Sequence, residues 1–373
     1  MKLKRLTALL LSVMLVLSLA ACGGGKDAKD DSADGDLSGK EIIIGNITPV
    51  TGAQAAYGLA ITNSIQLAID EINAAGGILG ATVKLSTKDD QGTPAEAVSG
   101  FNSLLSEGAA AIIGATLSSC TSAITSLADD EGIVLVTPSS TADSITTTDD
   151  YVFRSCFKDS FQGEMVAAYA KDQGWTKAAV LYATGDTYSS GLHDSFVKAA
   201  EKYGIEIVCE QSSSDTGAVD FSSQLATIAA SGADMLFAPY YYDAVGPKII
   251  PQAREAGFKG AIMGCDGFDG TQDYTTGDLS AYENVYFTNH YSPEDSSEIV
   301  QSYVKNYTEK YGSESMNALG ALAYDAMYMV KQAIEKAGSI DHEAIRDAMS
   351  GMHYVGVTGD MTRAAHRKRA WPS

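Results

Sequence analysis

The sequence has little positive charge for its size. Lysine and arginine together number 26, against 47 aspartate and glutamate residues, which gives a formal net charge of −21 at pH 7. A body of this charge repels the phosphates of nucleic acids and the head groups of anionic lipids. Nucleic acids and anionic membrane surfaces are therefore poor partners for the folded part, and no nucleic-acid partner is expected.

Motifs that carry phosphate or nucleophile chemistry are missing as well. The sequence contains no G-x-x-x-x-G-K-[ST] and no G-x-G-x-x-G, so a nucleotide-phosphate cradle is unsupported. The absence of G-x-S-x-G argues against an α/β-hydrolase nucleophile. His193, Asp194 and Ser195 share the letters of a catalytic triad, but neighbours on one helix point to different faces, which favours a surface helix. We therefore expect a protein that is not an enzyme, with no catalytic residue and no cofactor.

Metal-ligating residues are few and scattered. None of the five histidines has a second histidine or a cysteine at ligand spacing, and a loose aspartate cluster at 266–278 misses the EF-hand spacing. Solvated loop carboxylates explain that cluster better than calcium, so no metal site is predicted. After Cys22 only Cys120, Cys156, Cys209 and Cys265 remain, at spacings that match no zinc pattern. We expect buried free thiols, although the sequence leaves their disulfide state open.

A secretory signal is predicted at the N-terminus. Basic residues at positions 2, 4 and 5 precede an apolar stretch at 8–19, which is too short for a stable transmembrane span. Small residues then lead into Cys22, an ending that resembles the bacterial lipoprotein cleavage box, in which the cysteine is lipidated. Residues 1–21 are therefore predicted to be a signal peptide, with a plain signal cleaved nearby as the alternative.

The segment that follows is predicted to be a lipidated tether. Residues 23–40 contain one large apolar side chain, Leu37, and such a segment cannot bury enough surface to fold. Two or more acyl chains on Cys22 would hold the protein at a membrane. Residues 22–40 would then let the folded body stand off by roughly 20–25 Å, so we expect an extracytoplasmic, lipid-anchored protein.

From Glu41 onward, short β-rich runs alternate with helical apolar patterns. Regular βαβ alternation predicts parallel sheets covered by helices on both faces. The series restarts near residue 159, which predicts an α/β fold of two doubly wound lobes joined by a hinge. We assign residues 41–158 and 287–353 to the first lobe, 159–286 and 354–360 to the second, and 361–373 to an atypical basic tail.

Hydroxyl side chains gather where three first-lobe strands are predicted to end, which is the edge where open α/β sheets bind ligands. Turn formation and helix capping are alternative explanations for any single residue, but they explain three clusters at one edge less well. The clusters read NITPVTGAQAAYG at 46–58, IIGATLSSCTS at 112–122 and LVTPSSTADS at 135–144.

A free amino acid would account for these residues. Its carboxylate needs donors, which Ser118 at the start of a predicted helix over 119–130 and Thr141 in the next loop could provide. Its ammonium needs an anion, which Asp266 at the end of a second-lobe strand could supply, since a buried unpaired charge costs several kcal/mol. Tyrosines could wall the side-chain pocket, with ordinary partial burial as an equal alternative for each. These are Tyr57, Tyr188, Tyr241 and Tyr324.

Seven stretches occur in an informative order: IGNITPVTGAQAAYG, AIDEINAAGGILG, IIGATLSSCTSA, VTPSSTA, YVFRSCFKDSFQG, ATGDTYSSG and ALAYDAM. Together they resemble the leucine/isoleucine/valine-binding protein family, the receptor subunits of amino-acid ABC importers, over residues 41 to about 360. The resemblance implies hinge closure on a ligand, crossings near 157–160, 284–290 and 351–356, and permease subunits as partners. A same-fold sensor for a membrane receptor, or a receptor for an amide or aromatic acid, is the alternative.

The resemblance also implies roles for individual residues. The family's hydroxyl contact with the ligand carboxylate falls on Ser118, and its next-loop contacts fall on the backbone of Ser139 and on Thr141. Its ammonium-binding acid, a glutamate in leucine-type proteins, falls on Asp266, whose shorter side chain implies a different pose or ligand. Its aromatic contacts fall on Tyr57, Tyr188, Tyr241 and Tyr324.

The C-terminus departs from the family pattern. Relatives continue past a GVTG-like segment, here at 356–359, into strands that complete the second lobe, whereas this chain ends TRAAHRKRAWPS. A truncated or frameshifted reading frame would explain the tail, and a natural flexible tail is the alternative. With truncation we expect a less stable second lobe with an exposed sheet edge.

Overall fold

A computed structural model describes residues 35–147, 150–275, 277–313 and 315–362. The predicted signal peptide, Cys22 and most of the tether lie outside the described residues, as does the basic tail from residue 363. No helix within the described ranges is both long enough and apolar enough to cross a membrane.

The first sheet has five parallel strands in the order β2-β1-β3-β4-β5. Its inner strands are largely apolar, and Ile44, Ile112 and Val136 are fully buried, as expected for strands covered on both faces. The strands are β1 (Glu41–Thr48), β2 (Thr82–Asp89), β3 (Ala111–Ile113), β4 (Leu135–Thr137) and β5 (Val152–Arg154).

Four helices connect these strands. Pro94 begins α2 at a first-turn position that needs no amide donor. The helix predicted over 119–130 is instead two short helices, α3 and α4, that meet at Ala123 and Ile124. Side-chain bonds compete with the helical ladder here, because the Thr121 hydroxyl donates to the Ala115 carbonyl at 3.0 Å. The helices are α1 (Ala55–Ala74), α2 (Pro94–Ser106), α3 (Ser118–Ser122) and α4 (Thr125–Glu131).

The second sheet repeats the architecture, with five parallel strands in the order β10-β9-β8-β6-β7. The register between β6 and β7 shifts at Ala178 and Ala179. Two successive parallel sheets confirm the predicted two-lobed α/β fold. The strands are β6 (Lys177–Ala183), β7 (Glu206–Ser213), β8 (Met235–Phe237), β9 (Ala261–Gly264) and β10 (Val285–Phe287).

Five helices accompany the second sheet. Asp186 caps α6, where its carboxylate accepts from the Ser189 amide at 2.8 Å, and Gly204 ends that helix in a left-handed conformation. A π-helical turn, Val245–Ile249, separates α8 from α9. The helices are α5 (Asp159–Asp172), α6 (Thr187–Tyr203), α7 (Ser222–Ala230), α8 (Tyr242–Ala244) and α9 (Ile250–Glu255), and short 3₁₀ turns follow β9 at Asp266–Phe268, Thr271–Tyr274 and Leu279–Tyr282.

After β10 the chain returns to the first lobe. Helix α11 (Ala318–Ala337) packs against α1, while α10 (Glu298–Tyr311) and α12 (His342–Met349) flank it. Asn317 and Asp341 cap α11 and α12 through their side chains. The chain thus crosses between the lobes after β5 and again after β10, close to two of the crossings that the resemblance implies.

The described part of the chain ends in a two-stranded hairpin, β11 (His353–Gly356) and β12 (Gly359–Thr362), which pairs with neither large sheet. We expected residues 354–360 to belong to the second lobe. Instead, Asp325 of α11 holds the turn, because its carboxylate accepts from the amides of Val357 at 2.9 Å and Thr358 at 2.8 Å. The hairpin is therefore attached to a first-lobe helix.

Candidate functional site

A small cavity lies between the two sheets, with walls from both lobes. The side chains around it leave room for about one water molecule, far below the roughly 300–1,000 Å³ of pockets for drug-sized ligands. An amino acid would therefore enter only if these side chains move apart. The walls are Tyr57, Thr116, Leu117, Ser118, Ser139 and Leu319 from the first lobe, with Tyr188, Tyr241, Asp266 and Gly267 from the second.

Six of the eight residues expected at a ligand site line this cavity. They are Tyr57, Ser118, Ser139, Tyr188, Tyr241 and Asp266. Thr141 lies in the adjacent loop, and Tyr324 lies elsewhere. The structure therefore brings most of these side chains together, and their contact with a ligand stays a prediction.

Hydroxyl groups form the first-lobe side of the site. Ser118 begins α3 and accepts weakly from the Ala142 amide at 3.4 Å, and Ser139 donates to the Thr116 carbonyl at 2.8 Å. Thr141 is fully buried, and its hydroxyl has no hydrogen-bond partner of good geometry among the described residues. A buried unpaired polar group costs about 1–3 kcal/mol, so a ligand oxygen in reach of Thr141 would relieve a penalty.

Three buried tyrosines form the aromatic walls. The rings of Tyr188 and Tyr241 stack, with centroids 5.0 Å apart and planes inclined by 17°, and Tyr57 meets Tyr241 edge-on at 6.4 Å. Burial raises the pKa of each tyrosine well above its ordinary value. All three therefore remain neutral hydroxyl donors at physiological pH.

Gly267 is a point of close backbone approach between the lobes. Its carbonyl accepts from the Tyr57 hydroxyl at 2.6 Å, and its amide donates to the Tyr188 hydroxyl at 2.8 Å. A Cβ atom at this position would lie 2.7 Å from the Tyr188 hydroxyl and 2.7 Å from the Tyr240 carbonyl oxygen. Only glycine fits here without displacing the tyrosine that faces Asp266.

Asp266 begins the 3₁₀ turn after β9 and is 3% exposed. Its Oδ1 accepts from the Tyr188 hydroxyl and from Gln162 Nε2, both at 3.0 Å. Its Oδ2 lies 3.1 Å from His290 Nε2. A carboxylate has about four acceptor positions, so the three bonds fix its orientation and leave one position for a ligand.

Gln162 is a residue of this site that sequence reasoning missed. Besides donating to Asp266, its side-chain oxygen accepts from the Asp266 amide at 3.2 Å and from the Thr288 hydroxyl at 2.8 Å. It therefore joins α5 to the loop after β9 and to the second crossing. Gln162 lies within the stretch YVFRSCFKDSFQG, but the sequence does not indicate which residues its side chain will bond to in the fold.

Asp159 was also missed as a site candidate. It is the first residue of α5 and is 1% exposed, and neither carboxylate oxygen has a well-formed hydrogen bond to any described residue. Burial raises the pKa of Asp159 well above its ordinary value, with the nearby Thr141 hydroxyl opposing the rise and the charge of Asp266 adding to it. Asp159 is thus a second buried acid close to Asp266, with the Thr141 hydroxyl beside it, although it does not line the cavity.

Tyr324 is not brought to the cavity. Its hydroxyl donates to Glu71 Oε2 at 2.5 Å, and Tyr328 donates to the same oxygen at 2.9 Å. The ring packs against Tyr303, with centroids 5.0 Å apart. On α11 it is Leu319, one turn earlier, that reaches the cavity, so Tyr324 belongs to an aromatic cluster between α1, α10 and α11.

At the rim of the cavity the two lobes are directly bonded. The Tyr242 hydroxyl donates to the Ala53 carbonyl at 2.9 Å and accepts from the Ala56 amide at 3.2 Å. Gln54 donates to Asp243 Oδ1 at 3.0 Å. Together with the Tyr57–Gly267 bond, these contacts hold the lobes in a closed arrangement over the cavity.

Titratable groups elsewhere provide no obvious centre for chemistry. In the described ranges, no three histidine, cysteine or acidic side chains are grouped so that they could hold a metal ion. Cys120, Cys156 and Cys265 are buried thiols, and Cys209 is half-buried. Burial raises the pKa of Cys156 to about 12, so that thiol is protonated and unreactive.

The fold and the site together define a class of protein. Two doubly wound lobes enclose a small cavity, and each lobe contributes buried polar groups that meet there. These are the features of a two-lobed protein that closes over a small polar ligand.

Comparison with known proteins identifies the family. Residues 41–371 match the family described as periplasmic binding protein. The chain belongs to this family, and the resemblance to leucine/isoleucine/valine-binding proteins is confirmed by its relatives.

One relative, "Leu/Ile/Val-binding protein homolog 3" of Brucella melitensis biotype 1, is 31% identical over 313 residues, which cover 82% of this chain and 81% of that protein. The crystal structure of a leucine binding protein from Thermotoga maritima MSB8 has a TM-score of 0.80 at 32% identity, covering 87% of this chain and 91% of the other. A branched-chain amino acid transporter substrate binding protein from Streptococcus pneumoniae str. Canada MDR_19A, in complex with isoleucine, has a TM-score of 0.79 at 32% identity and covers 87% and 92%. The fold is that of these two-lobed binding proteins.

Proposed function

We propose that this protein is the extracytoplasmic solute-binding subunit of an ABC importer and that it captures one amino acid, branched-chain or similar, between its lobes. The observation that carries this proposal is that an anionic carboxylate and a hydroxyl donor line the same cavity. Asp266 presents a buried carboxylate from the second lobe, and Ser118 presents a hydroxyl from the first. The names of the relatives, which are Leu/Ile/Val-binding and leucine binding proteins, support the same ligand class.

The ligand carboxylate is assigned to the first lobe. Ser118 and Thr141 offer hydroxyl donors, and the Thr141 hydroxyl has no well-formed bond to another described residue. Ser139 lines the cavity, but its hydroxyl is occupied by the Thr116 carbonyl. Its contribution to the ligand therefore comes from its backbone.

The ligand ammonium is assigned to Asp266, with a second buried acid, Asp159, nearby. An ammonium group has three N–H donors, and burying it unpaired costs several kcal/mol. Asp266 has one acceptor position left, and Asp159 has two oxygens without well-formed bonds among the described residues. Asp159 does not line the cavity, so it would favour the ammonium as a nearby negative charge and not through direct contact.

The ligand side chain would contact the apolar faces of Tyr57, Tyr188 and Tyr241, together with Leu117 and Leu319. Aromatic walls give apolar area without the entropy cost of flexible side chains.

Binding and release follow from the arrangement of the lobes. Contacts from both lobes exist only when the cleft is closed, so a ligand shifts the open–closed equilibrium by its differential affinity. The crossings after β5 and after β10 provide the hinge. The closed, loaded form would be the species that the permease subunits of the transporter recognise.

The protein would be held at the cell surface by lipid on Cys22. The signal-like residues 1–21, the cleavage-box ending and the polar tether at 22–40 support this part of the proposal. Two acyl chains give stable membrane attachment, and the tether would let the binding body reach a transporter in the same membrane.

A second candidate is a receptor for a carboxylic acid that lacks an ammonium group, such as an aromatic acid. It is favoured by the three donors that already surround Asp266, from Gln162, Tyr188 and His290. In that case Asp266 would be a structural anion, and the ligand would use only the hydroxyl side of the cavity.

Thermal unfolding of the purified protein tests the proposal. The panel contains single amino acids, their deaminated carboxylates, aromatic acids and small amides. A ligand at 100 times its Kd adds about 2.7 kcal/mol to the free energy of unfolding. We expect a clear rise in Tm with a branched-chain or similar amino acid, while stabilisation by the deaminated acids alone would favour the second candidate.

A further inference from the structure

The side-chain amide of Gln162 bonds twice to the same residue. Its Nε2 donates to Oδ1 of the Asp266 carboxylate at 3.0 Å, and its Oε1 accepts from the backbone amide of Asp266 at 3.2 Å. The two bonds close a ring that joins the backbone and the carboxylate of one residue. A carboxylate held in this way does not rotate about its Cα–Cβ bond without breaking a hydrogen bond.

The partners of this amide leave it one orientation. A backbone N–H can only donate and a carboxylate can only accept, so Oε1 must face the amide of Asp266 and Nε2 must face its carboxylate. The Thr288 hydroxyl donates to the same Oε1 at 2.8 Å and so anchors the amide from a second direction. Gln162 is 1% exposed, which keeps these bonds away from bulk solvent.

Close backbone packing fixes the position from which Gln162 reaches Asp266. Its neighbour Gly163 lies against α6, where a Cβ atom would come within 2.7 Å of the Ser195 carbonyl carbon and 2.8 Å of the Phe196 nitrogen. Helix α5 therefore approaches α6 more closely here than a larger residue would allow. A side chain on such a support has little freedom to shift, which is what a preorganised site requires.

All three members of this arrangement lie on one side of the cleft. Gln162 is on α5, Asp266 follows β9, and Thr288 is the first residue after β10, where the second crossing begins. None of the three bonds therefore depends on the first lobe. The carboxylate keeps these bonds whether the lobes are open or closed, and the same bonds tie it to one of the two crossings.

We infer that Gln162 is a positioning residue for the ammonium subsite, which fixes the Asp266 carboxylate before a ligand arrives, with Thr288 as its anchor on the second crossing. Asp266 lines the cavity, whereas Gln162 and Thr288 do not, so both act through Asp266. Preorganisation raises affinity because less side-chain freedom is lost when the ligand binds. This inference rests on the proposed function, since it concerns the contact of Asp266 with the ammonium group of an amino acid.

The test is isothermal titration of the purified protein with L-leucine and with 4-methylpentanoate, which has the same skeleton without the amino group and is measured by its displacement of leucine. If another amino acid of the thermal panel stabilises the protein more, that amino acid and its deaminated acid replace this pair. Gln162→Met keeps the length of the side chain and removes both bonds to Asp266. We expect leucine affinity to fall roughly three- to tenfold, as for one side chain that must be immobilised on binding, and 4-methylpentanoate affinity to change by less than about twofold.

Gln173→Met is the matched control. Gln173 is an exposed residue at the end of the same helix and does not line the cavity, so its substitution should leave both affinities as in the wild type.

Two substitutions of Thr288 test the anchor. Thr288→Val keeps the shape of the side chain and removes the hydroxyl, so leucine binding should weaken roughly two- to fivefold. Thr288→Ser keeps the donor and should bind leucine nearly as the wild type does. A role in packing alone would give the opposite order, because valine preserves the volume of threonine better than serine does.

A double-mutant cycle with Asp266→Asn needs leucine alone, so it also applies if 4-methylpentanoate does not displace leucine measurably. The loss of affinity caused by Gln162→Met should largely disappear in the Asp266→Asn background, which has already lost the ammonium contact. If circular dichroism shows that Gln162→Met does not fold, the Thr288 pair decides.

Three results would overturn the role of Gln162 and leave the proposed function standing. They are equal losses in the two backgrounds of the cycle, equal losses for leucine and 4-methylpentanoate, and a leucine affinity in Thr288→Val that equals or exceeds that in Thr288→Ser. Failure of the folded wild type to bind any amino acid of the thermal panel would overturn both the inference and the proposed function.

Discussion

Replacing Asp266 by asparagine separates its charge from its shape. In this variant the amide oxygen can still accept from Tyr188 and Gln162, which now bond to Oδ1. The amide nitrogen would face His290 Nε2, and an imidazole with its proton on Nδ1 can accept from that nitrogen at Nε2. The network therefore persists, and we expect the free energy of unfolding to fall by only about 1 kcal/mol.

The effect on ligand binding should be larger. A hydrogen bond to a charged group contributes about 1.5–3 kcal/mol, and 1.4 kcal/mol corresponds to a tenfold change in Kd. Losing the ammonium contact should therefore weaken amino-acid binding by roughly 10- to 150-fold. Asp266→Ala should abolish binding, but it also leaves the donors of Gln162, Tyr188 and His290 unsatisfied, so the asparagine variant is the cleaner test.

The assay is isothermal titration with the amino acid that most raises Tm, together with circular dichroism to establish the fold. Asp172→Asn is the control, because Asp172 is an exposed carboxylate at the end of α5. It should bind as the wild type does. A folded Asp266→Asn protein with unchanged affinity would refute the assignment of Asp266 to the ammonium group.

Four further perturbations test other parts of the structure. Tyr57→Phe removes the interlobe bond to Gly267, worth about 1 kcal/mol, so ligand affinity should fall roughly fivefold in a titration while the Tm of the ligand-free protein stays nearly constant. Asp325→Asn loses acceptor capacity for Thr358. Hydrogen exchange of residues 353–362 should therefore accelerate by roughly 5- to 150-fold, which corresponds to about 1–3 kcal/mol, with β2 as the unchanged internal reference. Burial raises the pKa of Asp90 to about 6, so its ionisation opposes folding and the wild type loses stability as pH rises from about 4 to 6. Asp90→Asn should therefore be more stable than the wild type by about 1–3 kcal/mol at pH 7. At about pH 3.5, where Asp90 is mostly protonated in both states, the two proteins should differ little. Its neighbour Asp89 is the opposite case, because four hydrogen bonds outweigh partial burial and hold its pKa below the ordinary value. Chemical denaturation should therefore show that Asp89→Asn is less stable than the wild type at pH 7.

The α/β architecture could be predicted because its signals are local. Strands such as β1 and β3 contain short runs of isoleucine, and the helices between them show apolar periodicity and recognisable ends. The split of the helix predicted over 119–130 could not be predicted, because the side-chain bonds of Thr121 beside it, to Ala115 and Ser140, exist only in the folded protein. Hydroxyl side chains make such bonds only when a specific loop lies beside them.

The candidate site was predictable where the chemistry lies at strand ends. Ser118, Ser139 and Asp266 follow strands whose carboxyl ends meet in any such sheet. Gln162 and His290 were not predictable, because their contacts with Asp266 join residues far apart in sequence and depend on where the two crossings run. Tyr324 shows the remaining difficulty: a helical residue reaches a site only on the correct face, and the helix phase relative to the cavity is set by packing.

The crystal structure of the protein with the amino acid that most raises its Tm tests the central claim most directly. The account predicts lobes closed over one ligand molecule, with its ammonium within hydrogen-bond distance of Asp266 and its carboxylate at the hydroxyls of Ser118 and Thr141. A ligand in the reverse orientation, or one bound outside the cavity between the lobes, would contradict it.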